Sequence, residues 1–350
     1  MNDESVTNGG RAKARNGDSR PTLKTIAFMT GLGVTTVSRA LKDAPEIGEE
    51  TRRRVQLVAR QVGYRPNRAG VRLRTGKTNV ISLVLDTEEQ IMGFVSDIIY
   101  GVSEALAPTP YHLIVTPYSR LNDPMEPIRY VVETASADGI IISRTERDDP
   151  RVRYLMERGF PFATHGRTDM GVVHPFHDFD NHAFALEAVR KLAELGRRRL
   201  ALLAPPSTLA YHYHTVNGFS DGLIETGATA IPFNAVSIDG SINQIRTRTA
   251  ELMRRKNRPD GIVSSAGAAT LAVVGGIEDA GLSVGRDIDV VSKQSTPLLH
   301  LFRPALLVVN EDFRLAGREL ARSVLGWIDG ADPATLQSLS VPQGVKGVGE

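Results

Sequence analysis

Apolar residues recur at two different spacings along the chain, and the change in spacing divides it into two parts. Between residues 22 and 66 they recur every three or four positions, which predicts three short helices at about 23–30, 34–42 and 48–62. The second helix has one apolar face, formed by Val34, Val37, Ala40 and Leu41. Its other face carries Thr35, Thr36, Ser38 and Arg39. A small, polar and basic face of this kind suits contact with a DNA groove.

The first two predicted helices are joined at Gly31 and form a helix-turn-helix candidate. An isolated pattern of this kind also fits a helical hairpin on the surface of an enzyme. The pattern alone leaves both interpretations open, so the rest of the chain has to decide between them.

From Asn79 onward, short apolar runs alternate with amphipathic segments. Eight candidate strands, from 80–85 to 306–309, alternate with eight candidate helices. The segment 211–214 is interpreted as a loop before the helix that holds Gly218. The alternation predicts an α/β fold with parallel sheets flanked by helices, and about 250 residues of it predict two doubly wound lobes.

The same patterns set the expected domain boundaries. Residues 1–20 lack periodicity and are interpreted as a disordered leader. Residues 21–66 form the expected helix-turn-helix domain, and residues 67–78 a short basic linker. Residues 79–350 hold the two lobes, the first at about 79–180 and 310–328 and the second at about 181–309 and 329–345.

Charge and composition narrow the possible functions. The 350-residue chain has a net charge of +2, yet residues 21–77 hold twelve Lys and Arg against four acids. A basic segment next to an acidic body is typical of a nucleic-acid-binding domain joined to another kind of domain. Cysteine is absent, which excludes disulfides and cysteine-based zinc sites. The chain shows neither an apolar run of about 20 residues nor a signal peptide, so we expect a cytoplasmic protein with no membrane partner.

Five ordered sequence blocks carry a more specific signal. They are Thr22-Leu23-Lys24-Thr25-Ile26-Ala27, Val37-Ser38-Arg39-Ala40-Leu41, Glu50-Thr51-Arg52 with Arg54-Val55, Gly63-Tyr64-Arg65-Pro66-Asn67 and Leu73-Arg74-Thr75-Gly76-Lys77-Thr78. These blocks and the spacing between them resemble the LacI/GalR family of bacterial transcription factors. A weaker similarity continues through Val308-Val309-Asn310-Glu311-Asp312-Phe313 and covers nearly the whole chain after residue 21. The resemblance favours the DNA-binding interpretation over the surface hairpin.

The resemblance implies that the second helix is the recognition helix. Val34 and Thr35 align with the two main base readers of the family, and Arg39 aligns with an arginine that can grip guanine in the major groove. Thr36 and Ser38 are expected to contact phosphates, which position the protein without reading sequence. The remaining DNA contacts implied by the resemblance are Leu23, Gly33 as the N-cap, Tyr64, Asn67, Ala69, Gly70 and Leu73.

The basic linker resembles the hinge helix of the family, which orders on operator DNA and lies in the minor groove. Leu73 matches the leucine that wedges into the central base step and kinks the duplex. The alternative is that Leu73 only anchors the linker against the core. Gly70 replaces the usual alanine, which predicts a hinge that depends more on DNA and on its partner chain for order. Each helix-turn-helix reads one half-site, so the resemblance implies a homodimer on a pseudo-palindromic operator, with a tetramer as the alternative.

The two lobes resemble a periplasmic sugar-binding protein, which implies that a small-molecule effector binds in the cleft between them. The expected effector is a sugar or a sugar derivative. Several polar contacts of the family are replaced: Thr215 stands where an arginine is usual, and residues 292–295 replace a glycine, an aromatic residue and two aspartates. Aromatic rings stacked on a sugar, with Asp180 accepting hydroxyl hydrogen bonds, would compensate. The predicted effector contacts are Ile91, Phe94, Asp180, Tyr211, Tyr213, Thr215 and Gln294. The alternative is that Tyr211 and Tyr213 pack beneath a loop.

Other chemistries find less support. His174, His177 and Asp178, and separately His212 and His214, are possible metal ligands, but neither group has a convincing set of partners. The chain lacks a P-loop, a Gly-x-Ser-x-Gly elbow and a dinucleotide fingerprint. We therefore expect no metal, no cofactor and no enzyme activity. Two kinds of regulator remain: a repressor switched by a small molecule, and a protein of the same fold that responds to a protein partner.

Overall fold

The structure is a computed structural model that describes residues 21–65, 76–86, 93–119, 122–294 and 298–347. The chain forms two compact units, Met1–Lys77 and Thr78–Glu350. Within the described part, every helix is too short or too polar to cross a membrane. Some predicted contact residues lie outside the described residues, namely Asn67, Ala69, Gly70, Leu73 and Ile91.

The described residues of the first unit form three helices, as predicted: α1 (Leu23–Thr30), α2 (Val34–Ala40) and α3 (Glu49–Gln61). A capping box starts α1, because the Thr22 hydroxyl accepts a hydrogen bond from the backbone N–H of Thr25 (3.3 Å) and the Thr25 hydroxyl accepts one from Thr22 (3.1 Å). Gly31 ends α1 with a φ of 68°, a left-handed conformation that glycine adopts without strain. The turn between α1 and α2 is therefore encoded locally.

A small apolar core holds these helices together. Ile26 of α1, Val37 and Ala40 of α2 and Val55 of α3 are all fully buried. The prediction that Val34 shares this buried face is wrong, since its side chain is 41% exposed. Val34 is the first residue of α2, and this first turn extends beyond the core cluster formed with α1 and α3.

The second unit contains two sheets in which, among the described residues, all paired strands are parallel. The strands are β1 (Val80–Asp86), β2 (His112–Tyr118), β3 (Gly139–Ile142), β4 (Phe162–His165), β5 (Phe176–Phe179), β6 (Arg199–Leu203), β7 (Thr229–Ala230), β8 (Gly261–Ser264), β9 (Asp289–Gln294), β10 (Leu307–Asn310) and β11 (Gln337–Ser340). Their order is β11-β5-β4-β3-β1-β2 in the first sheet and β10-β9-β8-β6-β7 in the second. The predicted architecture of two parallel-sheet lobes is confirmed.

Helices cover both faces of each sheet. They are α4 (Phe94–Leu106), α5 (Glu126–Glu133), α6 (Pro150–Glu157), α7 (Asn181–Glu194), α8 (Ala210–Thr226), α9 (Ile242–Met253), α10 (Gly267–Asp279), α11 (Leu298–Phe302) and α12 (Phe313–Ile328). Strand alternation explains the two layers: Ile81 and Leu83 of β1 pack with α4 and α12, whereas Val80 and Val84 face α5 and α6. Helices α4 and α12 cross closely at Gly101, where a Cβ would lie 2.0 Å from the carbonyl oxygen of Arg314.

Strand β11 corrects one predicted lobe boundary. It pairs with β5 in the first sheet, so the assignment of 329–345 to the second lobe is wrong for this strand. A 3₁₀ turn at Pro333–Leu336 precedes it, and the Ser323 hydroxyl of α12 donates to the carbonyl of Leu336 (3.2 Å). Strand β11 is only half buried, and its residues are largely polar. Its sequence therefore lacks the apolar run that would have indicated a strand.

The first turn of α8 corrects a second prediction. Residues 211–214 were expected in a loop, but they belong to α8, which begins at Ala210. The Ala210 N–H donates to the carbonyl of Thr145 (2.9 Å), and Nδ1 of His212 lies 2.7 Å from the carbonyl oxygen of Pro205. These tertiary contacts support a helical turn whose tyrosines and histidines have only moderate helix propensity.

Candidate functional site

The exposed face of α2 presents the predicted DNA contacts of the first unit. Val34, Thr35 and Arg39 are exposed, and Thr36 and Ser38 are half-buried beside them. Helical periodicity directs Thr35, Thr36, Ser38 and Arg39 away from the buried core residues, whereas Val34 is exposed because it begins the helix beyond the core cluster. The core contacts of α2 therefore fix the direction in which this polar and basic face points.

Arg39 forms an ion pair with Glu46, in the segment between α2 and α3. The two side chains are 56% and 42% exposed. An exposed pair of this kind contributes little to stability, so Arg39 can exchange Glu46 for the two acceptor atoms of a guanine edge at small cost.

Two arginines of α3 tie the helices to one another. Arg54 donates to the carbonyl of Thr30 at the end of α1 (2.7 Å), and Arg52 donates to the carbonyl of Asp43 (3.2 Å). Arg53, by contrast, is exposed and pairs with Glu49 one turn earlier. Two members of this basic triplet therefore stabilise the fold.

The other predicted contacts of the first unit have mixed surroundings. Leu23 and Tyr64 are half-buried and pack against the core. Gly33 is the N-cap of α2, with extended φ and ψ of −67° and 146° and no side chain to satisfy the helix start. The first backbone N–H groups of α2 therefore donate no hydrogen bond to a capping side chain.

A cavity of about 40 Å³ lies in the second unit, where strands of both sheets end. Its lining from the first lobe comprises Phe94, Ser143, Arg144, His165, Gly166 and Asp178. The other lining residues are Asn181, Tyr211, Lys293, Glu311 and Phe313. Ligands of open parallel sheets bind outside the carboxyl ends of the strands, and this cavity occupies that position for both sheets at once.

Lys293 forms the polar centre of the cavity. Its ammonium lies 2.7 Å from Oε2 of Glu311 and donates to Oδ1 of Asn181 at 2.8 Å. The rings of Phe179 and Tyr211 lie 5.3 and 5.4 Å from the same nitrogen. Only 7% of each of the Lys293 and Glu311 side chains is exposed, so this buried charge is compensated by a carboxylate, an amide oxygen and two ring faces.

A second buried acid completes the polar lining. Oδ1 of Asp178 accepts a hydrogen bond from the Phe179 N–H (2.9 Å), and Arg167 lies 3.0 Å from Oδ2. Burial raises the pKa of Asp178 to about 6, against the opposing effect of Arg167. Near the other acid, Nε2 of His165 lies 3.7 Å from Oε1 of Glu311.

Aromatic rings form the apolar side of the cavity. The rings of Phe94 and Phe313 meet edge to face with their centroids 4.9 Å apart, and the ring of His165 lies 5.4 Å from Phe94. Burial and the nearby Lys293 lower the pKa of His165 to about 4. The cavity therefore combines the surfaces of aromatic rings with side chains that donate and side chains that accept hydrogen bonds.

The structure brings two of the predicted effector contacts, Phe94 and Tyr211, into this lining and leaves the other described ones outside it. Asp180 caps α7, since its carboxylate accepts from the Ala183 N–H (2.9 Å). Thr215 is fully buried and donates to the carbonyl of Tyr211 (2.7 Å). Tyr213 instead lies under the guanidinium of Arg147, 4.4 Å from it.

Gln294 also lies outside the lining, although its neighbour Lys293 is part of it. Gln294 is buried and donates to the side-chain oxygen of Asn310 (3.0 Å). The cavity residues missed from the sequence, such as Ser143 and Glu311, directly follow buried strands. That position was the available signal, because strand ends of two sheets can converge at a crevice.

His174 and His177, two of the histidines considered as metal ligands, have other partners. Nε2 of His174 lies 3.1 Å from the Thr168 hydroxyl, and Nδ1 of His177 lies 2.8 Å from the hydroxyl of Ser338. Among the residues that the structure describes, no group of three or more His, Cys, Asp or Glu is placed to hold a metal ion.

Comparison with known proteins establishes the family. "Bacterial regulatory proteins, lacI family" matches residues 22–67, and "Periplasmic binding protein-like domain" matches residues 189–346. The HTH-type transcriptional regulator AglR of Rhizobium meliloti is 31% identical over 320 residues, which cover 87% of each chain. The regulator RafR of Escherichia coli is 32% identical over 324 residues, which cover 91% of this chain and 96% of RafR. The chain belongs to the LacI family.

Solved structures agree with this LacI-family assignment. The complex of the transcriptional regulator CelR with cellobiose has a TM-score of 0.69 at 25% identity and covers 93% of this chain and 98% of CelR. The lac repressor dimer bound to operator and an anti-inducer has a TM-score of 0.81 at 20% identity, with the same coverage, and shows that the fold is shared. This LacI-family chain is accordingly a DNA-binding transcriptional regulator.

The buried histidines of this LacI-family protein predict that its stability rises with pH. Burial lowers the pKa of His165 and His177 to about 4, so the unfolded chain binds more protons between about pH 4 and 6.5. Asp178, whose pKa is raised to about 6, opposes this between about pH 4 and 6. With two histidines against one carboxyl group, the free energy of unfolding should increase by on the order of a few kcal/mol from about pH 4.5 to 7.

Denaturant unfolding of the full chain at several pH values measures this effect. Asp178→Asn removes the opposing contribution, so its stability should rise more steeply with pH than that of the unsubstituted chain. A stability that is flat or falls over this range would contradict the prediction.

Proposed function

We propose that this LacI-family regulator is a repressor that binds a pseudo-palindromic operator as a homodimer and changes its operator affinity when a carbohydrate binds in the cavity of the second unit. The observation that carries the proposal is the cavity itself, which collects buried acids, an amide and aromatic rings where strands of both sheets end. Because a transcriptional regulator acts on DNA, and bacterial DNA lies in the cytoplasm, we place the protein there.

The chemistry of the lining supports a carbohydrate. Asp178 and Glu311 can accept hydrogen bonds from hydroxyl groups, and Asn181 and Lys293 add further polar atoms. The ring of Tyr211 and its aromatic neighbours offer faces on which a sugar ring can stack. CelR, whose complex with cellobiose has the same fold, supports the same class of effector.

The size of the cavity supports a switch. A volume of about 40 Å³ holds only a few water molecules, at roughly 10–15 Å³ for each. A sugar therefore needs a wider cleft, so its binding favours a different arrangement of the two lobes. An effector changes DNA affinity only through such a difference in its affinity for two states.

Two neighbouring aspartates give a sharp test of the site. Asp178→Asn should lower sugar affinity by about tenfold or more, because it removes a buried carboxylate from the lining. Asp180→Asn should leave sugar affinity nearly unchanged, because asparagine is as good an N-cap as aspartate. Isothermal titration of both variants and the unsubstituted chain with a carbohydrate panel measures the difference.

The opposite ranking of the two variants would place the effector near Asp180 and contradict the proposed site. If the unsubstituted chain binds no carbohydrate, the proposed effector class is wrong. That result would favour the other regulator considered from the sequence, which responds to a protein partner.

A further inference from the structure

Positive charge is concentrated where three neighbouring strands of the second sheet begin. In the parallel pairing of β6, β8 and β9, Leu200 lies opposite Gly261 and Gly261 lies opposite Asp289, so the three strands begin side by side. The segments at these strand starts, 195–199, 254–260 and 280–289, hold eight Lys and Arg against three Asp. Residues 78–350 as a whole hold 26 Lys and Arg against 33 Asp and Glu. We call the three segments together the basic edge.

Hydrogen bonds between the three segments join the basic edge into one surface. Nε of Arg199 donates to the carbonyl of Arg258 (2.9 Å), and Nε of Arg197 donates to Oδ2 of Asp289 (2.7 Å). The Asp289 N–H in turn donates to the carbonyl of Asp260 (3.2 Å). The candidate effector cavity lies at the carboxyl ends of the strands, so the basic edge lies at the opposite end of this sheet.

The ion pairs of the basic edge leave its outer layer positive. The Arg199 side chain is 48% exposed and its partner Asp260 only 18%, while Arg286 is 73% exposed and Asp287 only 24%. Each guanidinium carries five N–H donors, and these arginines use only some of them in their contacts with other described residues. The aspartates therefore hold the guanidiniums in place and leave donors that can reach a second anion.

Other cations of the basic edge have no acidic partner. In the part of the chain that the structure describes, Arg198, Arg254, Arg255 and Lys256 are exposed and form no ion pair. The guanidiniums of Arg198 and Arg254 donate instead to backbone carbonyl oxygens, at 2.7 and 2.8 Å. These contacts orient the two guanidiniums without neutralising their charge.

The composition of this surface indicates which anionic partner it fits. Protein interfaces have an apolar and aromatic core, whereas DNA interfaces are more polar and much more positively charged. Of the large apolar side chains in the three segments, all of which the structure describes, Leu195 alone is exposed. Guanidinium and ammonium groups are the usual partners of phosphate oxygens. The basic edge therefore fits the phosphate backbone of DNA better than the surface of an acidic protein.

We propose that the basic edge is a second DNA-contacting surface, which binds the phosphate backbone of a duplex without reading its sequence. It has no residue in common with the polar face of α2, so one protein can hold an operator and another stretch of duplex. The contact is electrostatic and releases counterions, so it weakens as the salt concentration rises. This inference goes beyond the proposed effector function and does not depend on it.

A bridging experiment with the full chain tests the second surface. An operator selected from random DNA is fixed to beads, saturated with protein, washed and then offered a labelled duplex of unrelated sequence. Arg255→Glu with Lys256→Glu reverses two exposed cations of the basic edge. Arg153→Glu with Arg158→Glu is the matched control, since it reverses two exposed cations of the first lobe and changes the net charge equally. Thermal unfolding first shows that both double variants are folded.

We expect the unsubstituted chain and the control to hold the second duplex, with an affinity that falls steeply between about 50 and 200 mM salt. Arg255→Glu with Lys256→Glu should weaken this binding by about tenfold or more. It should lower the slope of log affinity against log salt by about two, and leave operator affinity within about twofold.

A second duplex that is not held, or that both double variants hold equally well, overturns the inference and leaves operator binding standing. Labelled polyglutamate is offered to the same beads as a second probe. If the basic edge holds polyglutamate but not the duplex, the inference is also overturned, and the surface belongs to an acidic protein partner instead.

Discussion

Replacing Arg39 with alanine is expected to lower operator affinity by about 1–3 kcal/mol, roughly 5- to 150-fold, and to relax specificity at one base pair. The reason is geometric: a guanidinium can bind O6 and N7 of guanine with two parallel hydrogen bonds, which alanine cannot replace. Affinity for unrelated DNA should fall much less, because one phosphate contact at most is lost. Competition binding with an operator selected from random DNA measures both quantities.

The free structure supports Arg39 for this role. Its side chain is 56% exposed on the polar face of α2, and its partner Glu46 is itself exposed. Arg53 is the matched control, since it is an exposed arginine of the same unit that pairs with Glu49 and lies on α3. Arg53→Ala should change operator and unrelated DNA affinity by similar small factors. If Arg39→Ala behaves in the same way, Arg39 does not read a base.

Lys293→Met is expected to destabilise the second unit by about 3–5 kcal/mol, because it leaves the buried carboxylate of Glu311 without its counter-ion. Both side chains are only 7% exposed, so water compensates little. Methionine resembles lysine in length and flexibility, which limits the packing contribution to the loss. Urea unfolding of the full chain, followed by circular dichroism, measures the change.

The double variant Lys293→Met with Glu311→Gln separates charge from packing. Removing both charges should recover most of the lost stability, since a buried pair contributes less than the isolated charge costs. The control is Glu225→Gln, which breaks the exposed pair with Arg190 and should leave the free energy of unfolding nearly unchanged. A Lys293→Met variant as stable as this control would contradict the prediction, because it would show that the buried carboxylate of Glu311 does not need Lys293 as its counter-ion.

The two aspartates at the first crossing between the lobes illustrate the limit of prediction from sequence. Asp178 and Asp180 are two residues apart, and only the second was expected in the effector site. In the folded chain Asp180 caps α7, whereas Asp178 lies in the cavity lining. A capping aspartate and a binding aspartate look alike in a sequence, because the difference depends on what the rest of the chain brings to each carboxylate.

The DNA-binding unit was the part most fully predictable. Its helices follow from apolar spacing, a capping box at Thr22 and a left-handed glycine at Gly31, all of which act within a few residues. The one error, burial of Val34, arose because periodicity identifies a face but not how far the neighbouring helices extend along it. The alternation of strands and helices likewise predicted two parallel-sheet lobes correctly.

The amino-acid sequence alone therefore determined the family, the alternation of strands and helices and the face of α2 that points away from the core, because these depend on local spacing and on ordered motifs. Only the tertiary structure decided which side chains meet in the cleft. Ser143, Asp178, Lys293 and Glu311 come from separate strand ends, and the pairing order of the strands brings them together. Strand β11 joined the first sheet for the same reason, since non-local backbone pairing placed it there.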